Sequence, residues 1–307
     1  MLKKFCVALI LLFVFSISIN LLGIESTEIY FPGTLDSFWV YEDQDGNELT
    51  RHSIEGEEIA GITYSAFSYE PELEDWINYS PFIHPFLYHI FDSDVAVTLF
   101  VGDEVEKSVK ARFKNEIETF VEIIKEQAPP ELDVSVFDMG VDVEVEAEDH
   151  LFLLPDTIIV DLEWGAHQIE ANVTLIPQGV GVSEDEQLLI DFTIVETGIA
   201  RGTETVETIA GTFKDCLKVE YRTETTAVFT PNQSPDEVAA PGETVTTVWF
   251  APNIGIVKLH QKSGHMFLDL IPDDADFPVA FPPNQEKTLE LKRYEIKTAE
   301  SESNTEN

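Results

Sequence analysis

Over most of the chain, short runs of alternating apolar and polar residues end at turn-forming residues. In the segment from Val141 to Ala147, valine or alanine alternates with aspartate or glutamate, residue by residue. Because successive side chains of a β-strand point to opposite faces, such a segment buries one face and exposes the other. Asp45-Gly46 lies between two strand-like runs and is typical of a hairpin turn. The pattern predicts a mainly β protein whose antiparallel strands are joined by hairpins.

One segment departs from this alternation. From Asp103 to Gln127, apolar residues recur at steps of three and four, which is the period of an amphipathic α-helix. Pro129 and Pro130 follow and cannot continue a helix. We therefore predict a helix over 103–127 that covers one face of the sheet, with a lid or a partner-binding helix as the functional alternative. Its apolar stripe consists of Val105, Val109, Phe113, Ile117, Phe120, Val121 and Ile124.

The N-terminal segment has the features of an export signal. Lys3 and Lys4 precede an almost entirely apolar run from Phe5 to Leu22, as in the charged and apolar regions of a secretory leader. We predict a signal peptide over residues 1–24 and an extracytoplasmic chain, either periplasmic or secreted. The run is nearly long enough to cross a bilayer, so the alternative is an uncleaved leader that anchors the protein to the membrane.

Charge limits the partners that this chain can have. It carries 58 acidic residues against 18 lysines and arginines, for a formal net charge of −40. Such a surface repels the phosphates of nucleic acids and the headgroups of anionic lipids. Because 44% of its residues are apolar, the chain still has enough material for a core. We predict a folded protein that binds neither nucleic acid nor an anionic membrane surface.

The same patterns divide the chain beyond the leader into three parts. Residues 25–150 are predicted to form an N-terminal β half that contains the helix and an aromatic loop. Residues 151–298 are predicted to form a C-terminal β half that packs with the first as one unit. The acidic residues 299–307 predict a disordered tail. The aromatic loop, from Trp76 to Phe91, combines aromatic residues with prolines and is predicted to be an irregular connection.

No sequence motif assigns a catalytic residue, a cofactor or a metal. The seven histidines have no spacing typical of zinc, and no phosphate loop, dinucleotide fingerprint or nucleophile elbow occurs. Cys216 is the one cysteine after the leader, and its strand-like surroundings predict a small apolar residue of the core. Asp142, Glu144, Glu146 and Glu148 are predicted to share one strand face, which we interpret as solvated, although a neighbouring strand could complete a cation site. These observations favour a protein that is not an enzyme.

A candidate ligand surface joins the aromatic loop to the helix. Large apolar patches on soluble proteins tend to have a use, and both segments are rich in apolar side chains. A lipid or another envelope protein is the partner that such a surface would fit, and the sequence does not define the oligomeric state. The candidate ligand-binding residues are Trp76, Phe82, Phe86 and Phe91 in the loop and Val109, Phe113 and Ile117 on the helix.

Two stretches resemble bacterial envelope proteins of unknown function and, more loosely, the lipoprotein carriers LolA and LolB. The first runs from Tyr30-Phe31-Pro32 through Phe38-Trp39-Val40-Tyr41 to Gly61-Ile62-Thr63-Tyr64. The second runs from Ile209-Ala210-Gly211-Thr212-Phe213 through Cys216-Leu217-Lys218-Val219 to Val248-Trp249-Phe250-Ala251-Pro252 and Ile254-Gly255-Ile256-Val257-Lys258.

This resemblance implies a mainly β (α+β) fold in which a strongly curved antiparallel sheet, or half-barrel, has one long amphipathic helix packed across its concave side. In the carriers that shape accommodates acyl chains. The resemblance supplies no functional residue, and the carriers lack an insert like the one from Trp76 to Pro130. Fold alone does not define a function, so the ligand class stays a hypothesis.

Three functions remain open on the sequence alone. The first is a non-enzymatic binding protein, which predicts a continuous apolar cavity beneath the helix. The second is a structural or adhesive surface module with a solid core and an exposed edge or aromatic patch. The third is a carboxylate-dependent hydrolase, which needs two acidic side chains facing each other across a cleft.

Overall fold

The computed structural model describes residues 30–32, 34–59, 61–71, 87–90, 97–100, 104–127, 139–178, 187–230, 242–270 and 285–297. The predicted leader, the predicted acidic tail and Trp76, Phe82, Phe86 and Phe91 of the aromatic loop lie outside these ranges. Within them, no helix combines the length and the apolar character needed to cross a membrane.

The described residues confirm a mainly β fold with one α-helix. The helix α1 spans Glu104–Gln127, so the predicted position and extent are confirmed over the residues that the structure describes. A short 3₁₀ turn spans Leu268–Leu270. The strands are β1 Phe38–Asp43, β2 Glu48–Ile59, β3 Ile62–Glu70, β4 Leu87–Ile90, β5 Val97–Phe100, β6 Met139–Ala147, β7 His150–Leu154, β8 Glu163–Pro177, β9 Leu188–Thr208, β10 Gly211–Thr230, β11 Thr244–Ala251, β12 Gly255–Ser263 and β13 Gln285–Glu295.

All of these strands form one antiparallel sheet. Its order is β6-β8-β9-β10-β11-β12-β13-β1-β2-β3-β4-β5-β7. The last described strand, β13, lies in the interior of the sheet and pairs with β12 on one side and β1 on the other. The outermost strands β6 and β7 follow each other in the chain and are joined by Glu148 and Asp149. The sheet therefore links strands of both predicted halves, and the division into halves stays a prediction.

One face of this sheet, which we call the inner face, is apolar from strand to strand. The pairing registers align Val173 of β8 with Ile190 of β9, and Val219 of β10 with Val248 of β11. These side chains are fully buried, as is Leu291 of β13. Helix α1 lies on this face: it contacts β6, and the Phe113 and Phe192 ring centroids are 4.5 Å apart. The helix therefore covers part of the inner face, as the sequence predicts.

The opposite face is polar. Asp142, Glu144 and Glu146 are exposed on β6, which confirms that they occupy a solvated strand face. Ion pairs join neighbouring strands on this side, for example Lys258 Nζ to Glu290 Oε1 at 2.7 Å. One apolar and one solvated face is the usual arrangement of an antiparallel sheet with a single covered side.

Two other local predictions are confirmed and one is wrong. Asp45-Gly46 lies in the hairpin turn between β1 and β2, where Gly46 has a φ of 85° and the Asp43 carboxylate accepts the Asp45 N–H. Cys216 is fully buried. The aromatic loop was predicted to be irregular from Trp76 to Phe91, but Leu87–Ile90 is a strand, β4. This short strand pairs with β3 and β5, and its conformation depends on this pairing rather than on the proline-rich sequence around it.

Candidate functional site

The candidate site lies between α1 and the inner face of the sheet. Within the described ranges, Val109, Phe113 and Ile117 belong to the buried stripe of α1, together with Val105 and Ile124. Their spacing of four residues keeps them on one side of the helix. Phe113 and Ile117 are fully buried, whereas Val109 lines a cavity beneath the helix. The structure thus places the three predicted helix residues together, and the four loop residues of the prediction lie outside the described ranges.

Hydrogen bonds to Glu116 connect α1 to the segment that follows β12. Its carboxylate accepts the backbone N–H groups of Met266, Phe267 and Leu268, with N···O distances of 3.2, 2.7 and 3.4 Å. Arg112, one helical turn earlier, donates its Nε–H to the same carboxylate at 3.1 Å. Because Glu116 is only 7% exposed, these charge-assisted hydrogen bonds are largely shielded from water.

A second set of contacts fixes the two ends of the site. Arg112 Nη2 donates to the carbonyl oxygen of Gly264. Near the start of α1, the Glu106 carboxylate accepts the backbone N–H of Ala147, at the end of β6, at 3.3 Å. Phe120 contacts Phe267 edge to face. Helix α1 is therefore held at both the β6 edge and the 3₁₀ turn.

The cavity beneath α1 has a volume of about 100 Å³. It has room for a few water molecules but is smaller than the roughly 300–1,000 Å³ of typical ligand pockets. Its lining mixes apolar and polar side chains, so it differs from the continuous apolar cavity that the binding hypothesis predicts. It is lined by Val105, Ser108, Val109, Arg112, Leu151, His167, Ile169, Ile194, Glu196, Thr223, Thr244, Thr246, Gln261, Ser263 and Met266.

An open groove adjoins this cavity where β6 passes into β7. Its volume is about 570 Å³, within the range of typical ligand sites. Its walls come from the β6–β7 connection, from β8 and from β9, and Glu148, Asp149, His150 and Gln168 on these walls are solvent-exposed. His167 and Glu196 line both the groove and the cavity. These two side chains therefore form the boundary between the solvent-open space and the covered space.

His167 and Glu196 are neighbours across two paired strands. The β8–β9 register places His167 directly opposite Glu196, next to an irregularity between Gly165 and His167. The Nε2 atom of His167 lies 2.8 Å from the carbonyl oxygen of Glu148. A carbonyl oxygen only accepts, so Nε2 carries a proton and donates it to this bond.

Burial shifts the pKa values of both groups towards their uncharged forms. It raises the pKa of Glu196 to about 7. It lowers the pKa of His167, against the opposing effect of the hydrogen bond to Glu148. Removing a charged group from water disfavours its ionised form, which accounts for both directions. Both shifts favour the uncharged forms of the imidazole and the carboxyl group at this boundary.

A close-packed aromatic pair lies beside this boundary. Trp164 lies over Gly198, where any side chain carbon would come within 2.4 Å of the indole ring. The Trp164 ring contacts the Tyr221 ring edge to face, and the Tyr221 hydroxyl donates to the carbonyl oxygen of Leu153 at 2.7 Å. Burial raises the pKa of Tyr221 well above its ordinary value, and the charge of Glu196 adds to this effect.

The sequence predictions omitted His167 and Glu196, although a signal for Glu196 exists. Ile190, Phe192 and Ile194 alternate towards the inner face, and Glu196 is next in the same phase. Burying a carboxylate costs free energy, so a carboxylate in phase with buried apolar residues is a candidate functional residue. His167 has no comparable signal, because the irregularity next to it shifts the alternation of β8. Within the described ranges, no group of three or more His, Cys, Asp or Glu side chains could hold a metal ion.

Fold and site together define a sheet-and-helix protein with a small covered cavity that adjoins an open groove. A family model described as DUF3108-like matches residues 122–266, a little under half of the chain, so the chain is similar to this family. The matched range includes the end of α1, the strands β6 to β12, and both His167 and Glu196. The comparison with curated proteins gives no match.

Two solved structures align over most of the chain at low similarity. One is a presumed lipoprotein from Parabacteroides distasonis, 16% identical, with 87% of this chain and 98% of that chain covered and a TM-score of 0.35. The other, from Bacteroides fragilis, is presumed to be exported and has a YmcC-like fold. It is 13% identical, with 87% and 99% covered and a TM-score of 0.31. At these scores the alignments do not define the function of the site.

Proposed function

We propose that this chain is a non-enzymatic, extracytoplasmic binding protein for an amphipathic ligand. The apolar end of the ligand lies under α1, against Val109, Ile169 and Ile194, and its polar part lies in the groove. The observation that carries this proposal is the shared boundary: His167 and Glu196 line both spaces. Extracytoplasmic placement rests on the export signal of residues 1–24.

Strong curvature of the sheet belongs to the same proposal. The two outermost strands, β6 and β7, are joined by only two residues, Glu148 and Asp149, although they occupy opposite ends of the strand order. Strand β7 also contacts β8, from the other end of the sheet. End strands that lie this close are expected of a sheet that bends around its inner face, and this supports the proposed concave surface beneath α1.

Ligand size follows from the two volumes. A cavity of about 100 Å³ accepts a short apolar end but not a long acyl chain. A longer chain, of the kind that the carrier resemblance implies, would require α1 to move away from the inner face. The contacts of Glu116 with Met266 and Phe267 would have to break for that movement.

The test is binding of decanol, a neutral probe, to the mature chain by isothermal titration calorimetry and native mass spectrometry. Gly165 lines the groove, and a side chain carbon added there meets no atom within 4 Å. Gly165→Leu therefore adds an apolar side chain to the groove, and we expect it to weaken decanol binding by about 10-fold or more. Thr226→Leu, at an exposed position of β10, is the matched control and should bind like the wild type.

Two results would contradict the proposal. One is the absence of decanol binding by the wild-type chain, and the other is equal binding by Gly165→Leu. Val109→Phe tests the covered part separately, because it fills the cavity from the helix side. Overpacking costs about 1–3 kcal/mol, so thermal unfolding must first show that this variant is folded.

A further inference from the structure

Arg51 is the charged side chain whose environment the proposed site does not explain. It lies on β2, directly opposite Trp39 of β1 and Tyr69 of β3, on the inner face of the sheet. Only 2% of its surface is exposed. Its guanidinium carbon is 4.3 Å from the Trp39 ring centroid, 4.4 Å from that of Phe67 and 5.7 Å from that of Tyr41. We call Trp39, Tyr41, Phe67 and Tyr69 the aromatic cage.

The aromatic cage accepts only some of the hydrogen bonds that this guanidinium can donate. Arg51 donates a hydrogen bond to the Tyr69 hydroxyl. Its Nε and Nη1 atoms are buried and have no hydrogen-bond partner among the described residues. Arginine stays protonated in proteins, so the charge cannot be removed by losing a proton. Contact with ring faces stabilises a cation, but a ring supplies no oxygen acceptor for the free N–H groups.

Among the described residues, no ion pair explains a cation at this position. Leu49 precedes it in the same phase of β2 and is buried on the same face. An apolar side chain of similar length would fill the aromatic cage without burying an unpaired charge, and such replacements of buried charges are often neutral or stabilising. An arginine here is therefore best explained by an anionic group that the protein binds.

We infer that Arg51 is the recognition site for an oxyanion, a carboxylate or a phosphate, at the head of an amphiphile whose chain lies on the inner face; this goes beyond the proposed function, whose ligand places its polar part in the groove. Guanidinium N–H groups form strong charge-assisted hydrogen bonds with both kinds of oxyanion. A free, hydrated anion gains little by entering a cage of aromatic rings, because it loses its water. An anion attached to an apolar chain adds the burial of that chain on the inner face, which favours an amphiphile as the source.

Binding must rearrange the aromatic cage. Neither the cavity nor the groove is lined by Arg51, so an oxyanion reaches it only when neighbouring rings shift. Trp39 donates its indole N–H to the carbonyl oxygen of Ile254 at 2.6 Å, and its ring contacts Phe67 edge to face. A shift of these rings changes tryptophan fluorescence, which gives a readout that does not depend on the affinity measurement.

The experiment compares three probes on the mature chain: decanoate, decanol and inorganic phosphate. Arg51→Met removes the charge and retains an apolar side chain of similar length. Arg293→Met is the matched control, because it removes one positive charge from an exposed position of β13. Affinities come from calorimetry at about 0.15 M salt, where charges more than about 8 Å apart are largely screened.

We expect the wild-type chain to bind decanoate at least about 10-fold more tightly than decanol, with a change in tryptophan fluorescence. Arg51→Met should lose this preference and retain decanol binding, whereas Arg293→Met should behave like the wild type. Equal affinities for decanoate and decanol in the wild type, with decanol bound, would overturn this inference and leave the proposed function standing. If the wild type binds none of the three probes, both fail.

Two further outcomes also decide the question. Phosphate that binds as tightly as decanoate would show a free-oxyanion site and overturn the assignment of an amphiphile. If Arg51→Met does not fold, Arg51→Lys keeps the charge but loses the planar set of N–H donors. A preference for decanoate that is weaker in Arg51→Lys supports the inference, and a preference equal to that of the wild type contradicts it.

Discussion

Replacing Glu196 with glutamine should make the protein more stable at alkaline pH. Burial raises the pKa of this carboxyl group to about 7 in the folded chain, from an ordinary value of 4.5. In the unfolded chain the carboxyl group loses its proton near pH 4.5, whereas in the folded chain it holds the proton up to about pH 7. The folded wild type therefore loses stability as the pH rises from about 4.5 to 7, and the loss is complete above that range.

The size of the effect follows from the same two pKa values. A difference of about 2.5 between folded and unfolded chains, at about 1.4 kcal/mol for each pKa unit, gives roughly 3 kcal/mol at pH 8. Glu196 lines the groove, and water that enters there would reduce this figure. Glutamine imitates the protonated form, so Glu196→Gln has no such pH dependence. Relative to the wild type, its unfolding free energy should rise between pH 5 and pH 8.

Urea unfolding, followed by tryptophan fluorescence at pH 5, 6, 7 and 8, measures this difference. Glu224→Gln, at an exposed position of β10, removes one carboxylate and serves as the control for overall charge. Its difference from the wild type should stay constant across the series. The reasoning is refuted if the difference between Glu196→Gln and the wild type does not change with pH. The carboxyl group would then be hydrated through the groove.

Three other variants or reactions test the remaining contacts. Phe113→Ala removes a fully buried ring that contacts Phe192 and should lower the unfolding free energy by about 3–5 kcal/mol. Lys114 is exposed, so the control Lys114→Ala should change the unfolding free energy by less than about 0.5 kcal/mol. Glu116→Gln weakens the charge-assisted bonds to the 3₁₀ turn; we expect a loss of about 1–3 kcal/mol and faster hydrogen exchange at the Phe267 amide. Burial raises the pKa of Cys216 to about 11. A thiol reagent at pH 8 should therefore react on the order of 100-fold faster with the chain unfolded in urea than with the folded chain. Equal rates would contradict the burial.

Local pattern predicted those elements whose structure depends on their own sequence. The period of the apolar stripe predicted α1, because its buried residues repeat at helical spacing over 24 residues. The Asp45-Gly46 turn was predictable because the backbone at Gly46 needs a positive φ. The alternation of β6 likewise predicted which of its side chains meet water. In each case the deciding interaction lies within a few residues.

Other features depend on partners far away in the sequence. The segment from Met266 to Leu270 has the apolar composition of a strand, but Leu268–Leu270 is a 3₁₀ turn. Its backbone N–H groups are satisfied by Glu116, about 150 residues earlier in the chain, which no local pattern contains. The boundary of His167 and Glu196 has the same origin, since the register between β8 and β9 brings the two together.

The position of β13 also determines when the fold can be completed. Without β13, the remaining strands of the described sheet separate into two ribbons, one ending at β12 and the other beginning at β1. During synthesis, the segment that joins these ribbons emerges after the other described strands. Such long-range closure is slow, because the entropy of a large loop is lost before the contacts form. Export of this chain is proposed above, and an exported chain must stay unfolded until its passage is complete. A sheet whose joining strand arrives last would meet that requirement.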